Sequence, residues 1–310
     1  MSEILVAGAT GFTGSHVIPL LLSQHNRVTC FVRPTSDRSA VDLPGVEFAE
    51  GNLSDPVSLL AALRGKDTLI HLANLMGSTK DGGRRARTIV DACTSAGIGR
   101  AVFVSSASVF TRMDTETKAA RLAAEGEVSG SGLRYTMFRP TMIYGSRRDR
   151  NMIRLIDFLR YCPLVPVPGD GESLTQPIHV MDLAGAIVDC LGIEAAVGRT
   201  YTLSGAAPLT FNEVIDQVCA AMGVRRIKIH VPLPVAQRLA RLANRLQKRV
   251  RITSEQLLRL NENKVFDYAD AQRDIGFHPR TFAEGIRLEA ACLRPKSAGS
   301  LTHPTARRSL

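Results

Sequence analysis

Gly8, Gly11 and Gly14 punctuate the string Gly8-Ala9-Thr10-Gly11-Phe12-Thr13-Gly14, which directly follows the apolar run Ile4-Leu5-Val6-Ala7. Where a strand turns into a helix, residues without a side chain let the backbone bend tightly and let a ligand approach the amides. The following helix adds the positive end of its dipole, so this spacing suits the holding of a pyrophosphate. Thr10, Phe12 and Thr13 are the other candidate contacts in the loop. Arg33 stands just after a second apolar run, Val28–Val32. Dinucleotide sites that take the unphosphorylated cofactor usually carry Asp or Glu there for the ribose hydroxyls, whereas a guanidinium can pair bidentately with a 2′-phosphate. Arg33 therefore points to NADP, with NAD as the alternative if the nearby Asp37 neutralises it.

Such residues need a scaffold that brings the turn and the strand end to one edge of a sheet. Ile4–Ala7, Val28–Val32, Val46–Ala49, Thr68–Leu72, Ala101–Ser105 and Tyr135–Phe138 are short runs of strand character. Between them Gly14–Ser23, Ser54–Leu63, Arg84–Ala96 and Thr115–Val128 carry helical periodicity. The alternation predicts an α/β fold: a Rossmann doubly wound parallel sheet over 1–145, with sheet elements returning from 175–205. A smaller C-terminal substrate lobe is expected over 146–293. It would hold a helix at Asn151–Tyr161, a Pro- and Gly-rich loop from Cys162 to Gly171, a helix from near Val180, a strand at Thr200–Leu203 and a helix capped by Thr210. Residues 294–310 lack periodicity and read as a disordered tail.

More strings extend the pattern. Gly51-Asn52-Leu53 follows the third strand, His71-Leu72-Ala73 the fourth, Val104-Ser105-Ser106-Ala107-Ser108-Val109-Phe110 the fifth and Arg139-Pro140-Thr141-Met142-Ile143-Tyr144-Gly145 the sixth. Gln176-Pro177-Ile178-His179-Val180-Met181-Asp182-Leu183-Ala184 follows in the lobe. With the glycine loop, these make residues 3–290 resemble the extended or atypical branch of the short-chain dehydrogenase/reductase superfamily, including the NAD-dependent epimerase/dehydratase proteins. The resemblance implies that Asn52 and Leu53 flank an adenine, that Ala73 and Asn74 lie along the cofactor, and that Pro140, Thr141, Met142 and Ile143 approach the nicotinamide. Asn52 replaces the family's usual Asp. Oligomeric state stays open, although in the family resembled the helices at Arg84–Ala96 and Thr115–Val128 are the common homodimer contact.

Active members of that superfamily move protons with a serine or threonine, a tyrosine, and a lysine four residues after the tyrosine. Ser106 and Lys118 match, but the position four before Lys118 is Asp114. None of Tyr135, Tyr144, Tyr161, Tyr201 and Tyr268 falls in this segment. An ammonium one helical turn away favours the carboxylate, which can accept a proton but has none to give near neutrality. Three readings follow, one of them a fold retained for interaction without cofactor. In the first, the chain is an oxidoreductase or an epimerase/dehydratase-like enzyme. It would act with NADP(H) on a small metabolite or nucleotide sugar, with Ser106, Asp114 and Lys118 as catalytic candidates and Lys118 also on the ribose. In the second, it is a catalytically degenerate dinucleotide-binding sensor or assembly subunit.

Composition narrows the setting. The chain is 45% hydrophobic and 22% charged, as ordinary globular proteins are, and no apolar run approaches the roughly 20 residues of a membrane span. Met1-Ser2-Glu3 runs straight into a strand-like segment, which favours a cytoplasmic chain. The cysteines are scattered, and His71 and His179 read as packing residues, so no metal site is expected. Much of the net charge of +10 sits between Asp216 and Glu255, an interval without acidic residues. There residues 235–251 are predicted to form a basic amphipathic helix, with Val235, Leu239, Leu242, Leu246 and Val250 on one face and Arg238, Arg241, Arg245 and Lys248 on another. That basic face suits solvent, peripheral contact with an anionic membrane or an acidic protein, or the diphosphate of a nucleotide-linked substrate. No nucleic-acid-binding module accompanies the charge, so nucleic acid is not an expected partner.

Overall fold

A computed structural model describes residues 1–77, 81, 83–149, 151–238 and 261–293. The N-terminal half runs β1 (Glu3–Ala7), α1 (Gly14–Ser23), β2 (Arg27–Val32), β3 (Val46–Glu50), α2 (Pro56–Leu63), β4 (Thr68–His71), α3 (Arg84–Ala96), β5 (Arg100–Val104), α4 (Glu116–Ser129) and β6 (Tyr135–Pro140). It continues through β7 (Ile143–Tyr144), α5 (Met152–Tyr161), β8 (Leu164–Pro168), β9 (Leu174–Thr175), β10 (Ile178–His179) and α6 (Val180–Asp189). Then come β11 (Arg199–Leu203), β12 (Leu209–Thr210), α7 (Phe211–Met222), β13 (Ile227–Val231), α8 (Ala269–Ile275) and α9 (Phe282–Leu293).

Seven strands form one sheet in the order β11-β6-β5-β4-β1-β2-β3, and every pairing in it is parallel. A parallel sheet is covered on both faces, which is why Ile4 to Ala7 of β1 are all apolar and all inaccessible to solvent. One face packs on α1 and α6 through Ile18, Leu21, Leu183 and Ile187. The other packs on α2, α3 and α4 through Leu59, Ile89, Ala124 and Val128. Local signals set the helix starts: Asp55 caps α2 by accepting from the Val57 and Ser58 amides, and Thr210 forms a reciprocal capping box with Glu213 on α7. The strand order reverses between β1 and β4, so the chain departs to opposite sides there and opens a crevice at their carboxyl ends.

The lobe has its own core, in which Tyr144, Ile156, Leu159, Val167, Val214 and Ile286 are buried. Cys162–Gly171 is not all loop: β8 lies within it and pairs in parallel with β13. The prolines that suggested a loop are compatible with that pairing. The Ile227 amide bonds to the Pro163 carbonyl and the Gly169 amide to the Val231 carbonyl, so odd-numbered residues face β13, and Pro166 and Pro168 fall where no amide is needed. Of the basic interval, Arg226 bonds to the carbonyls of Leu159 and Arg160, and Lys228 pairs with Asp216 at 2.7 Å. The basic amphipathic helix expected at 235–251 lies mostly outside the described residues, and the tail at 294–310 lies wholly outside them. Among the described residues, no helix is long and apolar enough to cross a membrane.

Candidate functional site

The glycine loop sits where the strand order reverses. Gly8 has φ +84°, and a Cβ there would fall 2.6 Å from the Ala73 nitrogen and 2.9 Å from the Leu72 carbonyl carbon. The turn after β1 therefore lies directly on the backbone after β4. A Cβ on Gly14 would meet the Ala9 carbonyl oxygen at 2.2 Å, so α1 can start this close only with glycine. At Gly11 the nearest such contact is the Gly8 carbonyl oxygen at 3.1 Å. Its amide closes the turn onto that same oxygen at 3.0 Å. Thr13 precedes α1 without a side-chain cap, leaving the positive end of the helix without a competing oxygen from that residue. Glycines at 8 and 14 let the turn, the backbone after β4 and the start of α1 pack this closely, which is the local geometry a dinucleotide-binding turn needs.

Arg33 is exposed beyond the end of β2, and among the described residues no carboxylate pairs with it. Asp37 does not neutralise it. Its carboxylate accepts from the Ser39 amide at 3.0 Å, and those bonds to Ser39, followed by the nearby Arg148 charge, hold its pKa below the usual value. Asn52 turns the chain into α2 by accepting from the Ser54 amide at 3.0 Å, and Leu53 packs partly buried against the core. Asn74 donates to the Gly77 carbonyl at 2.8 Å, which shapes the loop after β4.

A cavity of about 910 Å³ opens beside these loops. Thr10, Gly11, Phe12, Ser106, Pro140, Thr141, Met142 and Ile143 line it; Gly8, Thr13, Gly14, Arg33, Asn52, Leu53, Ala73, Asn74, Asp114 and Lys118 do not. Ser106 accepts from the Ser108 amide at 3.2 Å, capping a short 3-10 turn at Ala107–Phe110, and this leaves its hydroxyl proton free to donate. Behind it lies a buried charge network. Glu125 of α4 is 4% exposed and accepts from the Ser105 hydroxyl and from Nε and Nη2 of Arg139. The Arg139 guanidinium also lies 5.2 Å from the centre of the Phe110 ring. The network locks the ends of β5 and β6 together and so fixes Ser106 relative to Pro140. Thr141 is tied in turn, its hydroxyl donating to the Gln176 carbonyl at 2.6 Å.

The Lys118 ammonium donates to the Thr111 carbonyl at 2.9 Å, and Asp114 lies 3.5 Å from it. Thr111 is held from the other side as well. Its hydroxyl donates to Glu262 at 2.9 Å, and the Arg112 amide donates to the same carboxylate at 2.6 Å. Sequence reasoning missed Glu262, which is some 150 positions from Thr111 and carries no local signal. It also missed Glu125 and Arg148, although the string Arg147-Arg148-Asp149-Arg150 was a visible charge cluster. His71 is fully buried and His179 nearly so, and burial lowers both pKa values to about 4. His179 caps α6 by accepting from the Met181 amide at 3.2 Å.

A family described as NAD(P)H-binding matches residues 8–194. Among curated relatives, 2-alkyl-3-oxoalkanoate reductase of Stenotrophomonas maltophilia is 26% identical, covering 92% of this chain and 97% of its own length. Sterol-4-alpha-carboxylate 3-dehydrogenase, decarboxylating, of Mus musculus is 26% identical over 78% of this chain and 74% of its own. Among solved structures, a double mutant of DesIV, a dTDP-glucose 4,6-dehydratase from Streptomyces venezuelae with NAD bound, superposes with a TM-score of 0.73 at 20% identity. It covers 94% of this chain and 96% of that one. The cradle, the sheet order and these matches agree: the chain belongs to the NAD(P)H-binding family, with homologues among the reductases and dehydrogenases of the short-chain dehydrogenase/reductase superfamily, and it shares its fold with a dTDP-glucose 4,6-dehydratase.

Proposed function

We propose that the chain is an NADP(H)-dependent oxidoreductase that interconverts a carbonyl and an alcohol on a small molecule with an apolar body. The observation that carries this reading is the cavity, in which Ser106 stands among Phe12, Ala107, Phe110, Met142, Ile143 and Phe266 and which adjoins the glycine loop. Arg112, Asn151, Gln176, Glu262, Asn263 and Lys264 also line it, so the cavity offers a small molecule both an apolar surface and polar groups that would orient it. A bound nicotinamide would supply or accept the hydride, and water reaching the open cavity would supply or take up the matching proton. Ser106 would donate its free hydroxyl proton as a hydrogen bond to the substrate oxygen. Lys118 would act from outside the lining, its ammonium on the Thr111 carbonyl placing positive charge beside the cavity wall. Arg33 would meet the 2′-phosphate. The names of the two curated relatives, a 3-oxoalkanoate reductase and a 3-dehydrogenase, support oxidation or reduction as the reaction class.

One observation favours the second reading, a dinucleotide-binding sensor. Asp114, which replaces the family tyrosine, lies outside the cavity lining and leaves Ser106 without a partner that relays protons. Steady-state NADPH consumption across a panel of ketones and 3-oxo acids separates the two. The enzyme reading expects turnover of at least one apolar-bodied substrate, and a loss of about 100-fold in Ser106→Ala with NADPH affinity retained. Tight NADPH binding with no turnover on any member of the panel would favour the sensor.

A further inference from the structure

After β7, residues 145–149 carry one side chain from the lobe out to the glycine loop. Their anchors lie in the lobe. Gly145 has φ +129°, and a Cβ there would fall 2.6 Å from Nε2 of His179, so the backbone presses directly on that ring. Ser146 Oγ accepts from the Arg148 amide at 3.2 Å. Asp149 is 4% exposed, and its Oδ1 accepts from the amides of Asn151 at 2.8 Å and Ile153 at 3.1 Å, fixing the start of α5. It also faces the fully buried Glu289 of α9.

Arg148, between these anchors, is exposed and reaches the other half of the molecule, where Nη2 donates to the Thr10 carbonyl at 2.7 Å. A guanidinium carries five N–H donors, and this bond uses one of them. Arg148 lines the same cavity as Thr10, Gly11 and Phe12, so its charge lies at the tip of the phosphate-holding loop. Residues 8–17 contain neither Lys nor Arg. Without Arg148, backbone amides and the partial charge of the α1 dipole would face two negative phosphates with no formal charge from this segment. A full positive charge capable of parallel N–H···O bonds supplies what the loop lacks.

We infer that Arg148 is a cofactor-binding residue that clamps the pyrophosphate of the dinucleotide from the lobe side. Its role differs from that of Arg33, which lies beyond β2 on the ribose side. A pyrophosphate clamp serves NADH and NADPH alike, whereas a 2′-phosphate contact serves only the second.

Fluorescence or calorimetric titration with NADH, NADPH, ADP-ribose and 2′-AMP tests this, and because it reads binding alone it does not depend on the proposed reaction. R148A is expected to weaken NADH, NADPH and ADP-ribose by about tenfold each and to leave 2′-AMP unchanged. R148Q retains a donor for the Thr10 carbonyl but no charge, and is expected to lose the same affinity. R148K keeps the charge and is expected to recover part of it. Full ADP-ribose affinity in R148Q would show that Arg148 only braces Thr10. A loss confined to NADPH and 2′-AMP would assign it to the 2′-phosphate, and either result overturns the inference. Thermal melts of all three variants report folding separately from binding.

Discussion

Asp114 stands 3.5 Å from the Lys118 ammonium with its own side chain 99% exposed, while Lys118 makes its shorter contact with the Thr111 carbonyl. An ion pair so open to water contributes about 0–1 kcal/mol. Asp114→Asn is therefore expected to change NADPH affinity and turnover by less than about threefold. Lys118→Met removes the charge on the Thr111 carbonyl and, on the proposed oxidoreductase reading, should lower turnover far more. Steady-state kinetics on both variants decides the matter. Abolished turnover in Asp114→Asn with unchanged cofactor affinity would mean that Asp114 is a working base after all.

On the proposed reading, cofactor choice would rest on Arg33, which no described carboxylate neutralises. Arg33→Asp should shift preference towards NADH, by about tenfold or more in the ratio of dissociation constants, since it removes a charge-assisted pair and offers the ribose hydroxyls an acceptor. Equal affinities for the two cofactors in the unaltered chain would remove the basis for the claim. Gly8→Ala is expected to weaken both cofactors together, because positive φ and the Ala73 nitrogen at 2.6 Å leave no room for a methyl group.

The legibility of this chain follows how local its signals are. The glycine loop, the buried strands and the Thr210 cap could be read in sequence because each depends on neighbouring residues, and the structure has them at nearly the expected positions. β8 was not legible: Pro163, Pro166 and Pro168 signal a loop unless one knows which side of the strand is paired, and that depends on β13 some 60 residues later. Distance along the chain also hid Glu262, whose hold on Thr111 and Arg112 exists only once the fold is closed. Ser106 was visible through family resemblance. The Ser105–Glu125–Arg139 network that fixes it was not, since a glutamate on a helix normally faces solvent.

That network makes Glu125 a stability residue as well as a support for the site. Its carboxylate is 4% exposed and takes hydrogen bonds from both Ser105 and Arg139. Removing one partner of a buried pair leaves the other charge uncompensated, which costs about 3–5 kcal/mol. Arg139→Met should lose stability on that scale in urea unfolding, because it strands a buried carboxylate with only the Ser105 hydroxyl donating to it, and Glu125→Ala should lose less, because the guanidinium it leaves behind is 24% exposed at its side chain. A Glu125→Ala variant as stable as the unaltered chain would show that the pair is not the lock between β5 and β6.

Glu289 and the two buried histidines should give stability a pH optimum with separable limbs. Burial first, then the hydrogen bond and charge of Asp149, raise the Glu289 pKa to about 9, so the folded chain keeps a proton there that the unfolded chain releases above about 4.5. The folded state then binds more protons, and this site costs stability increasingly as pH rises from about 4.5 to about 9. His71 and His179 act in the opposite direction. Their pKa values are lowered by burial from 6.5 to about 4, so the unfolded chain binds more protons in that window, and stability is lost as pH falls through it. Glu289→Gln isolates the alkaline limb, because an amide can donate to Asp149 as the protonated acid does without ever ionising. It should stabilise the chain by about 1–3 kcal/mol near pH 8 and by much less near pH 5. Chemical unfolding across that range is the measurement. If both chains lose stability at the same rate between pH 6 and pH 9, Glu289 does not keep its proton in the fold, and the alkaline limb must come from another group.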